Sequence, residues 1–320
     1  MTCTHITSVT KPVKTQTPPA GDEFCLGNSA TGGGEIKIPM RETIKFGDIP
    51  QTILNEVLEC LNPFSAPITV IERQRDIFPG SCTFVEFKGR HFLFTAALLW
   101  EILKPFGHIG ITVCRTASAP VRICTQDLRP IVVGKRENDA WNEWGPDLAF
   151  LELSDSDAGN LMTCKSFWNL GNRHELKSVP LQEIGNAAWV IVGFPEESIK
   201  QIGNNFVFEM RASFCPAERP AGPLYMHSQF DYVDLKIDTR VRGALGTHVG
   251  MSGSGLWRVR IIRNPDGHLT WLPKELSLEG VAFWQEQIVD GHRIIRCHGR
   301  KSLYGEGLAA ISALTSRAQL

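Results

Sequence analysis

Apolar residues recur in two rhythms along this chain of 320 residues. In IPQTILNEVLECLNPF, Ile53, Leu54, Val57, Leu58 and Leu61 return every third or fourth position, which predicts a helix with one buried face. Asn62-Pro63 stops it. From about residue 67 the rhythm shortens to runs of roughly four to eight residues between turn formers. PITVIE, CTFVEF, HFLFTA, IGITVC, RPIVVG, LAFLEL, AAWVIVGF, NFVFEM, YVDLKI, GLWRVR and EGVAFWQ each read as a strand. Many short strands with irregular loops predict an all-β barrel or sandwich, not alternating βα units. A second helix is expected near Gly307–Gln319, closing a domain that spans 46–320. Residues 1–45 are rich in Thr, Pro, Gly and Lys and carry no apolar period, so they read as a flexible arm or a segment that orders on a partner.

Charge narrows the functional classes. The chain has 33 Lys+Arg against 34 Asp+Glu, a formal charge of −1, which removes the electrostatic basis for a nucleic-acid or anionic-membrane partner. There is no apolar run of about 18 residues to cross a bilayer. The first twenty residues lack the apolar stretch of a leader, so the expected compartment is the cytoplasm. Nine cysteines form no CxxC pair and are odd in number, which suits reduced, buried thiols. His292, Cys297 and His298 have no second cluster at ligand spacing, and no nucleotide fingerprint occurs, so neither a metal nor a cofactor is expected.

Three segments carry chemistry. In Gly250-Met251-Ser252-Gly253-Ser254-Gly255 a serine sits between glycines, as a tight turn requires if it is to project a hydroxyl and converge backbone N–H groups on an oxyanion. The plain alternative is a glycine-rich hairpin. Pro146-Asp147-Leu148-Ala149-Phe150-Leu151 puts a carboxylate at the mouth of an apolar strand, where it could orient an imidazole or simply turn the chain. Upstream, HFLFTAAL reads as a strand ending in a small-residue step.

In this order and spacing the segments resemble the trypsin-like serine peptidases, particularly their intracellular bacterial members, over roughly residues 50–300. The resemblance implies two antiparallel β-barrels preceded by the arm and helix and closed by the C-terminal helix. It also implies roles. Ser252 would be the nucleophile, Asp147 the orienting acid, and the N–H groups of Gly250 and Ser252 the oxyanion donors. Gly246 would stand at the floor of the primary specificity pocket, and Trp284 and Gln285 on the strand that pairs with substrate backbone. Where the family places its histidine, this chain has Leu98. Leucine accepts no proton, so Ser252 would remain an ordinary alcohol.

His91, His108 and His248 are read as surface or structural residues, not substitute bases. Met251 replaces the aspartate that pairs with a freed N-terminus in the digestive enzymes, so that activation switch is not expected. The leading expectation is a homologue, inactive or severely impaired, that binds a protein or peptide between the barrels, with a regulatory partner reached through the arm. One alternative is a working endopeptidase whose histidine was replaced by engineering or is supplied from elsewhere. Another is a structural or regulatory protein-binding subunit.

Overall fold

The computed structural model describes residues 48–71, 76–113, 120–134, 144–173, 187–202, 205–216, 225–240 and 244–317. The expected arm lies outside them. Helix α1 (Gln51–Leu61) buries Ile53, Leu54, Val57 and Leu61 of the stripe its sequence predicts, and Leu58 is half-buried against the same core.

The N-terminal half is a sheet of β1 (Ser65–Ile71), β2 (Asp76–Phe87), β3 (Arg90–Thr95), β4 (His108–Ile111), β5 (Val121–Cys124), β6 (Arg129–Val132) and β7 (Ala149–Glu152). Their order is β5-β4-β1-β2-β3-β7-β6, all antiparallel, with the short β8 (Trp168–Asn169) running parallel to β2. Three helices punctuate this half: α2 (Ala97–Leu103), α3 (Asp155–Met162) and α4 (Leu170–Arg173). Ser154 caps α3, its hydroxyl accepting the Asp157 N–H.

The C-terminal half repeats the plan. It contains β9 (Ala187–Gly193), a separate hairpin of β10 (Ile199–Ile202) and β11 (Asn205–Phe208), then β12 (Arg211–Pro216), β13 (Tyr225–His227), β14 (Phe230–Asp238), β15 (Gly255–Arg263), β16 (Leu269–Trp271), β17 (Ser277–Gln285) and β18 (His292–His298). The sheet order is β12-β9-β15-β17-β18-β14-β13, with β16 on β15. A π-helical turn over Ser302–Gly307 leads into α5 (Leu308–Arg317). Two antiparallel sheet halves with few helices are the fold class expected, and are consistent with a trypsin-like two-barrel arrangement.

Continuous apolar strands such as AAWVIVG are explained by what lies on each face. Ala188, Val190 and Val192 of β9 join the large core that also holds Phe84, Phe94, Phe150 and Trp257. Trp189 and Ile191 point the other way, into a second core with Val233, Leu235, Met251, Leu256 and Cys297. A strand buried on both faces has no polar face to alternate. Among the described residues no helix is long and apolar enough to cross a membrane.

Candidate functional site

Ser252 sits in the loop before β15, and the shape of this loop follows from its hydrogen bonds. The Val249 carbonyl accepts the Glu196 N–H (2.8 Å), and the Met251 carbonyl accepts the Ser254 N–H (2.9 Å). In a trans peptide the N–H points opposite to the carbonyl. The N–H groups of Gly250 and Ser252 therefore face the other way, and among the described residues neither finds an acceptor. Gly250 and Gly253 have φ of +86° and +87°, a conformation that glycine adopts without strain.

Ser81 of β2 holds the loop from the other half. Its hydroxyl donates to the Gly250 carbonyl (2.8 Å) and its N–H to the Ser252 carbonyl (3.0 Å). Met251 is 1% exposed in the second core, so packing anchors the loop at this position.

Leu98 occupies the first turn of α2. Its N–H, an orphan donor at a helix start, is met by Asp147 Oδ1 at 2.6 Å. Asp147 itself is 3% exposed, and its N–H donates to His298 Nε2 (2.9 Å). The Asp147 carboxylate thus has a definite structural job, capping α2 in favourable alignment with the helix dipole. Leu98 in turn lines, with Ser252, Gly250, His248, Ala282, Trp284 and Gln285, a cavity of about 220 Å³. Asp147 and Ser252 are therefore joined through Leu98, which touches Asp147 by its backbone and shares the cavity with Ser252.

Gly246 stands apart. It is exposed, outside the cavity lining, with its N–H on Glu197 Oε1 (3.2 Å) and its carbonyl accepting from Arg293 (3.0 Å). Trp284 is 37% exposed at the cavity rim. Pairing of β17 with β15 reaches Ala282, whereas pairing with β18 continues to Gln285. One edge of β17 is consequently without a strand partner over its last residues, among those described.

Two histidines near this site were given no site role by sequence reasoning. His248 is 4% exposed and lines the cavity, with Nε2 2.7 Å from Ser213 Oγ. Burial, assisted by the Arg293 charge, lowers its pKa to about 4. His298 is fully buried against Phe283, Tyr232 and Phe230, and burial lowers its pKa to about 3. Cys297 belongs to the second core, and among the described residues no metal-holding cluster occurs. His91 packs edge-on against Phe167, and His108 is exposed at the start of β4. A single polar letter in a loop carries no mark of burial, which is why His248 was passed over.

Both lowered values make acid destabilising. Unfolded, each imidazole titrates near 6.5; folded, near 4 and 3. Between those values the unfolded chain binds more protons, so their contribution is complete above pH 6.5 and declines as pH falls to the folded values. The slope is at most about 1.4 kcal/mol per pH unit for each histidine. Urea midpoints should therefore fall from pH 7.5 to 4.5, and His298→Asn should flatten that fall. Parallel curves for the two proteins would remove His298 as a source.

No protein-family model matches the chain, and neither does any curated protein. Among solved structures, it is similar to the Mycobacterium tuberculosis protein Rv3671c in the inactive form of a serine-to-alanine mutant, with TM-score 0.41 and 14% identity over 83% of this chain and 94% of that one. The active form of that protease gives TM-score 0.39 and 14% identity over 81% and 85%. A Sesbania mosaic virus structure, concerned with coupled folding and binding of the intrinsically disordered VPg protein, gives 0.39 and 11% over 82% and 93%.

Proposed function

We propose that this chain is a catalytically impaired serine-peptidase homologue that binds a polypeptide in the cavity beside Ser252. The observation that carries the reading is the pair of N–H groups at Gly250 and Ser252. They lack acceptors and flank a half-buried hydroxyl at a cavity. Two such donors suit a peptide carbonyl or the oxyanion formed from it. The unpartnered edge of β17 supports the same ligand, since an extended peptide can add there as a strand. Impairment follows from Leu98, which leaves Ser252 without a base. His248 shares the cavity, but its Nε2 is engaged by Ser213. A cytoplasmic residence belongs to the same reading, supported by Cys60, Cys82, Cys124 and Cys297, which are thiols outside any disulfide. So does a regulatory partner reached through residues 1–45.

The test is retention of peptides from an acetylated, amidated random library on the immobilised full chain. Trp284→Ala and Ile102→Ala remove exposed apolar surface from the rim and should weaken retention about tenfold or more. Retention that neither substitution changes would place binding elsewhere on the molecule.

A further inference from the structure

Arg293 is only 8% exposed, yet among the described residues no carboxylate pairs with it. Its Nη1 donates to Gln285 Oε1 (2.5 Å) and its Nη2 to the Gly246 carbonyl (3.0 Å), while Nε has no partner. Arg296, buried to the same degree, instead holds both oxygens of Asp234 at 2.8 Å. A guanidinium taken out of water without a counter-charge is costly. Glu197 makes its bonds to the N–H groups of Gly246 and Thr247 and Glu286 pairs with Arg296, so neither contacts Arg293 directly.

Gln285 and His248 line the cavity, and each carries a side-chain donor with no acceptor among the described residues. Gln285 Oε1 is taken by Arg293 and by the His248 N–H (3.1 Å), which leaves its NH2 group to serve a ligand. His248 Nδ1 is buried without a partner. The Ser213 hydroxyl can donate to Nε2, which puts the imidazole proton on Nδ1. Two donors on residues that line the cavity beside Ser252, backed by a cation with no direct carboxylate partner among the described residues, suit an anionic acceptor.

We infer that the cavity is an acidic subsite: a glutamate or aspartate side chain of the bound polypeptide meets His248 and Gln285 and supplies the counter-charge that Arg293 lacks. Lysine and arginine would be repelled, and an apolar side chain would strand the two donors. The inference rests on the polypeptide-binding reading above.

Sequencing the peptides retained from the capped library tests it on the full chain as it stands. Glu and Asp should exceed Gln and Asn by roughly tenfold at one position, the advantage of charge-assisted over neutral hydrogen bonds. Arg293→Met should abolish that preference and Arg293→Lys should keep part of it. Because a buried arginine is replaced, a second measurement uses the unaltered chain. N-acetylglutamate N-methylamide should shift the His248 ring signals in a ¹⁵N-histidine spectrum, and the glutamine analogue should not. Retained peptides without acid preference, or equal shifts from both probes, would overturn the subsite while leaving polypeptide binding intact. A preference confined to an uncapped library would assign the anion to a chain terminus and also overturn it. Failure to retain any peptide would instead remove the polypeptide-binding reading itself.

Discussion

Leu98→His should make Ser252 a residue that fluorophosphonates label rapidly, where the chain as it stands should label slowly if at all. The imidazole would stand at the start of α2, where Asp147 already reaches the residue-98 N–H at 2.6 Å. Its Nδ1–H can then donate to that carboxylate while Nε2 accepts the Ser252 proton, the arrangement that general-base acyl transfer needs. The N–H groups at Gly250 and Ser252 require no change. Losing the histidine costs up to about 10⁶ in kcat in a complete triad. A base placed in a site that packs around leucine should recover less, about 10²–10⁴ in labelling rate. Adding Ser252→Ala should abolish the adduct seen by mass spectrometry. Rapid labelling at Ser252 in the chain as it stands would refute the impairment, because it would require a base other than the one at position 98.

Gly253→Ala is expected to be the most damaging single methyl group in the molecule's site. A Cβ there would lie 2.1 Å from both the Ser81 carbonyl oxygen and Thr95 Oγ1, with φ at +87°. The Ser81 oxygen is backbone and cannot turn aside. The cost should exceed about 3 kcal/mol, seen as a large drop in the urea midpoint. Gly267→Ala separates the two causes, since φ is +85° but nothing lies within 4 Å. It should cost only the backbone preference, about 1–2 kcal/mol. Equal losses for the two would mean that the packing around Gly253 yields more readily than its geometry implies.

What the sequence made legible was whatever repeats locally. The strand runs show as short apolar blocks between turn residues, and the stripe on α1 carries its own period. Helix α2 does not: TAALLWEIL is apolar nearly throughout, and one of its first N–H groups is met by Asp147, far along the chain. Strand β18 was missed for a related reason. HRIIRCH looks too charged for a central strand until Arg296 is seen held by Asp234 on the neighbouring β14. At the candidate site, Leu98, Asp147 and Ser252 were singled out because their order resembles that of a known family. Arg293 was not considered, because nothing in a sequence distinguishes a buried cation without an anion from an exposed one.

Ser81 lies in the first half of the chain and Gly250, whose carbonyl it holds, lies 169 positions later in the second. Neither half can shape the Ser252 loop by itself. During synthesis the cavity has no precursor until almost the whole chain has emerged, and its assembly waits on a contact of very large sequence separation, the kind that closes slowly. A fragment ending before β15 would keep Ser81 and Gly250 but lack the wall that Ala282, Phe283, Trp284, Gln285 and Ile295 give the cavity. The cavity beside Ser252 is therefore a product of the two sheets together and not of either one alone.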